Sequence, residues 1–251
     1  MKAVVMNPHC DDGMIGAGGT IIQLLNNGWE IMYVQMTDGR HGIRDISSEE
    51  ARIIRFKEGE SERKFLNVKH FFNFDMEDGT LNSLDDSKKE EVVNKLVEIL
   101  NDFNPQVVFM PTNGDAHTDH RATYSLTNMA LELSTIKPLK VFYLVWLLPF
   151  LSRVDRMEKV LRIDISKDWP KKKKGLLLHK SQEDRRHYSQ SINNLNSYFS
   201  LIYSKYDEND CDWVEVLGIR GEENLEQFLD SLVYKDVTGT YHGRDNNQIS
   251  V

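Results

Sequence analysis

Apolar and polar positions fall along this chain in blocks of two lengths. The short apolar runs AVVMN near residue 5, WEIMYVQMT, KHFFNF and QVVFMP read as strands, since runs of about four to eight residues between turn formers suit a strand better than a helix. Longer stretches with helical spacing lie between them. GGTIIQLLNNG ends at Gly28, a residue suited to the left-handed helix terminator. Ser47 to Asn67 opens with serines suited to capping and carries Ile53, Ile54, Phe56 and Phe65 at helical spacing. Ser87 to Phe103 gathers Val92, Val93, Leu96, Ile99, Leu100 and Phe103 on one face, with Pro105 beyond its end. A helix from about Asp119 to Ser134 precedes KVFYLVWL, a fifth strand, and LRIDIS suggests a sixth. Pro170 fits the first turn of another helix, where its missing N–H is not needed. From Ser191 onward the pattern loosens into one helix bearing Ile192, Leu195, Phe199 and Ile202, and a polar tail after Tyr241 that reads as a disordered terminus.

Strands alternating with helices at this spacing predict an α/β fold: a Rossmann-like, doubly wound, mainly parallel sheet with helices on both faces and a less regular C-terminal extension. With 251 residues the chain can bury one substantial core. Residues 1–190 are read as that core and 191–251 as an extension of the same domain. A formal charge of -8 disfavours nucleic acid and anionic membrane surfaces as partners, because each demands a cationic footprint. The one basic run, Lys171 to Lys174, reads as a solvated first turn of a helix. The longest apolar run, VFYLVWLLPFL, is broken by Pro149 and falls short of the roughly 20 residues that cross a bilayer, so no membrane span is expected. Cys10 and Cys211 cannot build a disulfide framework, and the N-terminal residues lack a signal-peptide pattern. Both features point to a cytoplasmic protein, and the sequence leaves room for a homo-oligomer.

The chemistry concentrates after the first and fourth strands. Gly16 and Gly18 begin a dinucleotide fingerprint, but Ile21 stands where its third glycine belongs, which argues against a nucleotide-binding domain. The glycines more readily let the first helix start close against the strand, and their N–H groups suit a nearby anionic group. Just before them, His9 and Asp12 flank Cys10 and Asp11 in a tight turn. After the fourth strand, TNGDAHTDHR sets His117 and His120 three apart at the entry to a helix. In a sheet of order 3-2-1-4-5, strands 1 and 4 are neighbours at the topological switch point, where ligands bind beyond the strands' carboxyl ends. Two imidazoles and a carboxylate with an open fourth position form a catalytic zinc environment, and two further polar residues remain for proton transfer.

These residues resemble the PIG-L and LmbE type of N-acetylglucosaminyl deacetylases. The family's H-P-D-D-E and G-x-G-G-T stand here as HCDDGMIGAGGT, and its H-P-D-H stands as HTDH at His117 to His120. The resemblance continues through Thr37 to Gly39, Arg55 and Glu58, Asp78 to Leu81, VVFMP and His179 to Gln182, covering roughly residues 2 to 185. It implies His9, Asp12 and His120 as zinc ligands, with other first-row divalent ions able to fill such a site. It implies Asp11 as general base, His117 as oxyanion stabiliser or acid, Arg55 near the sugar pocket and Asp78 as a polar substrate contact. The activity implied is hydrolysis of a small-molecule amino-sugar amide, an N-acetylglucosamine-type sugar or conjugate, to acetate and a free amine.

Cys10 and Gly13 depart from the family's proline and glutamate. That leaves a second reading: a metal-containing sugar-binding protein with weakened catalysis. Cys10 itself reads as a neutral, partly buried thiol, with metal ligation or reactivity as alternatives. Asp119 is either the cap of its helix or a residue orienting a site histidine. His179 reads as structural, and His41, His70, His187 and His242 show no partner spacing.

Overall fold

Residues 1–145, 159–204 and 211–236 are described by the computed structural model. In the first strand, β1 (Lys2–Asn7), Ala3, Val4, Val5 and Met6 are all fully buried. A strand apolar on both faces needs cover on both, which parallel crossovers supply. The chain accordingly runs through α1 (Asp12–Asn26), β2 (Glu30–Thr37), α2 (Ser48–Leu66), β3 (His70–Met76), α3 (Asp86–Phe103), β4 (Val107–Pro111), α4 (Thr118–Leu133) and β5 (Leu139–Tyr143). It continues with β6 (Lys159–Asp164), α5 (Trp169–Leu176), α6 (Lys180–Arg186), α7 (Tyr188–Ser204), β7 (Val214–Arg220), α8 (Leu225–Leu229) and β8 (Tyr234–Asp236).

The sheet order is β3-β2-β1-β4-β5-β7-β6-β8. Its first five strands are parallel and follow the order expected from the sequence, with Ala3 paired to Val107 and Val5 to Phe109 across the switch point. The expected sixth strand forms, but not beside β5. Strand β7 runs antiparallel between them, joining Phe142 on β5 to Gly218 and Leu161 on β6 to Leu217. Its segment VEVLGIR is interrupted by a glutamate and a glycine, and those breaks hid it from the apolar pattern. Val4 and Met6 share one buried cluster with Leu96, Leu100 and Leu126, while Ala3 and Val5 share another with Ile21, Ile22 and Leu176 on the opposite face of the sheet. The tail beyond Tyr241 lies outside the described residues. No helix among the described residues is long and apolar enough to cross a membrane.

Helix α1 is broken at Ala17 (φ -143°, ψ 17°), which frees backbone N–H groups in its interior. The Glu215 carboxylate of β7 accepts from Gly19 N at 2.7 Å, Thr20 N at 2.8 Å and Thr20 Oγ1 at 2.6 Å. The anion that the glycine cluster holds is thus a side chain of the same molecule. Lys172 supplies the countercharge at 2.7 Å and also donates to Ile15 O and Asn196 Oδ1. Only part of the lysine run is therefore solvated, because Lys172 is fully buried. The glycines serve close packing as well: a Cβ on Gly16 would meet Tyr143 at 2.4 Å, and one on Gly19 would meet Ile165 at 2.4 Å.

Helix α2 corrects another expectation. Its spacing of Ile53, Ile54, Phe56 and Phe65 suggested an apolar inner face, yet all four are exposed. The buried face carries Ala51, Arg55, Glu58, Gly59, Glu62, Arg63 and Leu66. Charged residues turn inward because the site they serve lies there.

Breaking a buried ion pair by removing one partner strands the other charge, at a cost of about 3–5 kcal/mol. Lys172→Met is expected to lower the unfolding free energy by about that amount in urea denaturation; a loss below about 1 kcal/mol would show Glu215 satisfied by the α1 backbone alone.

Candidate metal centre

Parallel pairing of β1 with β4 sets the turn after one strand beside the turn after the other. The first delivers His9, Asp11 and Asp12, and the second delivers His117 and His120 at the start of α4. His9 Nδ1 lies 3.1 Å from Asp12 Oδ2, His120 Nε2 lies 3.1 Å from the same oxygen, and the two nitrogens are 3.3 Å apart. Ligands at about 2.0–2.1 Å from a tetrahedral zinc stand about 3.3 Å from one another, so this triangle has the dimensions of one face of such a site. His117 belongs to the same group, with ligating atoms of His9, His117 and His120 all within 4.8 Å. The donor set of imidazoles and a carboxylate fits a first-row divalent cation.

Carboxylates stand behind each imidazole. His9 Nε2 is 3.0 Å from Asp78 Oδ1 and 3.5 Å from Asp119 Oδ2. His120 Nδ1 is 3.1 Å from Asp115 Oδ2, at ion-pair distance though off the line of a good hydrogen bond. Such partners fix the ring orientation and leave the opposite nitrogen free to ligate. Burial disfavours charge on both histidines, yet the surrounding carboxylates overcome it: His9 is raised well above its ordinary value and His120 to about 9. For Asp12, burial pushes upward but the charge of His120 pulls further down. The field here favours positive charge, which a divalent cation supplies more fully than protons do.

His117 differs. Burial lowers its pKa, and the neighbouring charges of His9 and His120 lower it further, so the ring stays neutral. Its Nδ1 accepts from Asp119 N at 3.2 Å as the cap of α4, which leaves the proton on Nε2. The helix cap is therefore His117 and not Asp119. Asp119 instead accepts from Gly79 N at 2.7 Å and Leu81 N at 3.2 Å, tying the segment around Asp78 to α4.

Asp11 faces α2. Burial pushes its carboxyl up, but the adjacent Arg55 guanidinium, 2.9 Å away, outweighs that and keeps it ionised. Arg55 is held in turn by Glu58 at 2.8 Å, and Glu58 accepts from Ser181 at the start of α6. Asp11, Arg55, Asp78 and His117 share a cavity of about 280 Å³ with His9 and Asp12. His41, Gln182, Arg186 and Tyr188 also line it. Gln182 closes the His179 to Gln182 segment that carries the resemblance, whereas His41, Arg186 and Tyr188 were not singled out from sequence for this cavity and carry no spacing signal. Asp115 was missed too, although it lies inside the quoted TNGDAHTDHR, two residues before His117.

Cys10 is buried and is not among the residues that line this cavity; its Sγ lies 3.9 Å from His179 Nδ1. His179 Nε2 is 2.6 Å from Glu62 Oε2. Where the family has proline, a thiol here ties the turn to α6 and, through Glu62, to α2. Gly13 packs so closely that a Cβ would come within 2.5 Å of Asn7 Oδ1, which itself accepts from Gly13 N at 2.8 Å.

The sequence model described as PIG-L, GlcNAc-PI de-N-acetylase, matches residues 4–131. A diacetylchitobiose deacetylase of Thermococcus kodakarensis is 32% identical over 125 residues, spanning 48% of this chain and 45% of that protein. The match thus covers less than half of that relative's length. The solved N,N'-diacetylchitobiose deacetylase from Pyrococcus horikoshii superposes with a TM-score of 0.67 at 25% identity, covering 87% of this chain and 83% of the other. GalB, the 4-carboxy-2-hydroxymuconate hydratase of Pseudomonas putida, gives a TM-score of 0.70 at 17% identity, over 89% of this chain and 99% of that one, a likeness of fold.

His120→Ala is expected to abolish metal retention in elemental analysis of the purified protein. Asp115→Asn should weaken metal affinity by about 10–100-fold while leaving the fold intact; undiminished affinity would remove Asp115 from the site. A pH dependence arises from His179. Burial pulls its pKa down, but hydrogen bonds to Cys10 and Glu62 prevail and hold it at about 10. Because this exceeds the roughly 6.5 of an unfolded histidine, the stability it contributes is complete below about pH 6.5 and is lost as pH rises through about 10. The melting-temperature gap between wild type and Glu62→Gln should therefore narrow over that interval, and a constant gap would overturn the assignment.

Proposed function

Since this chain belongs to the PIG-L (GlcNAc-PI de-N-acetylase) family, we propose that it is a metal-dependent amidase removing the acetyl group from an N-acetylglucosamine-type sugar or conjugate. The products are acetate and a free amine. The observation that carries this reading is that one cavity is lined by His9 and Asp12, by an ionised Asp11 and by a neutral His117, while buried His120 completes a triangle with His9 and Asp12. His9, Asp12 and His120 are the proposed ligands of zinc, and imidazole and carboxylate donors also suit other first-row divalent ions. When bound, zinc supplies a Lewis acid that polarises the amide carbonyl and lowers the pKa of water toward about 7.

The chain's own groups supply the proton movements. Asp11, ionised beside Arg55, takes the proton of the attacking water. Arg55 disfavours the protonated acid, so Asp11 readily passes that proton onward to the departing nitrogen. His117, with its proton on Nε2, donates a hydrogen bond to the oxyanion of the tetrahedral intermediate. Asp78 and Arg55 line the cavity and are proposed to meet substrate hydroxyls in addition to their contacts with His9 and Asp11. The two free cysteines support a reducing, cytoplasmic location. Treatment of residues 191–251 as an extension of the 1–190 core is supported by β7 lying between β5 and β6.

Asp11→Asn is expected to retain metal while acetate release falls by about 10²–10⁴-fold. The assay spans N-acetylglucosamine, diacetylchitobiose, thiol-conjugate precursors and lipid-linked N-acetylglucosamine. Metal-loaded protein that binds these sugars without releasing acetate from any would favour a sugar-binding role instead.

A further inference from the structure

Both N–H groups of the Gln182 side chain are committed within the protein, and its carbonyl is not. Nε2 donates to Gly42 O at 3.1 Å and to Ser181 Oγ at 3.0 Å. A backbone carbonyl only accepts, and the one proton of Ser181 Oγ goes to Glu58 Oε2 at 2.8 Å, so nitrogen and not oxygen must face both partners. Oε1 is thereby fixed as a pure acceptor. Gln182 is 2% exposed, and its Oε1 has no partner among the described residues. Nor is it sealed in the interior as the orphaned Arg55 Nε is, so the space it opens to is the cavity whose wall Gln182 forms. A buried acceptor left open at a cavity calls for a donor from the molecule that fills it.

The position of that acceptor decides which part of a ligand it meets. Gly42 N donates back to Gly39 O at 2.9 Å, and both glycines lie against Arg55, since a Cβ on either would come within 3.3 Å of that side chain. Gln182, bonded to Gly42, therefore stands on the Arg55 flank of the cavity. Arg55, Glu58 and Ser181 stand in line between it and Asp11.

We propose that Gln182 is a specificity-determining residue of this site, accepting at Oε1 a hydrogen bond from a free hydroxyl of the sugar; the inference rests on the amino-sugar reading above. The acetamide reacts among Asp11, His117 and the His9–Asp12–His120 triangle, which leaves the ring hydroxyls as the donors for Gln182. A hydroxyl differs here from each group that could replace it. A glycosidic or acylated oxygen has no proton to give and a deoxy carbon has no oxygen, so either leaves Oε1 desolvated and unpaired. Turning the amide to offer its nitrogen instead would break the bonds to Gly42 and Ser181. The cavity thus selects a sugar unsubstituted at that position, and an aglycone is joined through another.

Acetate release from N-acetylglucosamine and its 3-deoxy, 4-deoxy and 6-deoxy analogues, measured for wild type and Gln182→Met, tests this as a double-mutant cycle. Expected is a loss in kcat/KM of about tenfold in Gln182→Met, a similar loss for one deoxy sugar with wild type, and no further loss when the two are combined. The matching amine products, which do not turn over, should show the same coupling in their dissociation constants by calorimetry. Arg185→Ala is the control, because Arg185 also donates to Gly42 O, at 3.3 Å, without lining the cavity; it should shift all four sugars alike. A loss in Gln182→Met that is equal for all four sugars makes Gln182 a clamp on the Gly42 turn and overturns the proposal. If Gln182→Met does not fold, Gln182→Asn, which withdraws the oxygen by one methylene, takes its place. Coupling in amine binding without acetate release removes the proposed activity and keeps this inference, and acetate release without coupling does the reverse. Sugars that neither bind nor react overturn both.

Discussion

Four buried carboxylates gathered around two imidazoles are the constraint on which the rest of the molecule depends. Asp12, Asp78, Asp115 and Asp119 lie within 3.5 Å of His9 or His120. Like charges so close in a water-poor interior repel strongly, and only protons or a cation between them make the arrangement tenable. The fold secures this by holding the cluster on both sides of a switch point. Asp12 opens α1, while Asp115 and Asp119 come from the other side of the β1–β4 pair, before and within α4. Asp78 is then locked to that second group by the hydrogen bonds of Asp119 to Gly79 and Leu81.

Holding such a cluster open to a cavity requires a rigid surround. Part of it is the Lys172–Glu215 pair, which fastens the broken α1 to β7 and so joins the C-terminal segment to the turn that carries His9 and Asp12. Another part is Cys10–His179–Glu62, which fastens the same turn to α6 and α2. A proline would have stiffened that turn through its own φ. Here side chains distant in sequence do so, which makes the turn's rigidity a property of tertiary structure.

That distinction separates what could be seen in the sequence from what could not. Strands β1 to β5 and their order followed from local apolar runs, and the histidine and aspartate motifs followed from their positions after strands one and four. Strand β7 escaped notice because Glu215 and Gly218 interrupt its apolar run. Glu215 faces inward to meet Lys172 and α1, a reason that exists only once distant segments meet. Asp115 was hidden differently: an aspartate in a loop is by default a turn former, and its contact with His120 depends on how the loop folds. The face of α2 was misjudged because periodicity reports that a helix has two faces without saying which one a site will claim.

The reversal of α2 follows from the electrostatics of the centre. Buried Asp11 needs a countercharge from the side away from the histidine cluster, and His179 needs a carboxylate. Arg55 and Glu62, seven residues or two turns apart, meet both needs from one helical face. Glu58 between them completes the pairing of Arg55, so charges that would be costly to bury alone are each partnered. Once that face is committed, the helix's large apolar residues have only the opposite side to occupy. Exposure of Ile53 and Phe56 is therefore a consequence of the countercharge that buried Asp11 requires from Arg55.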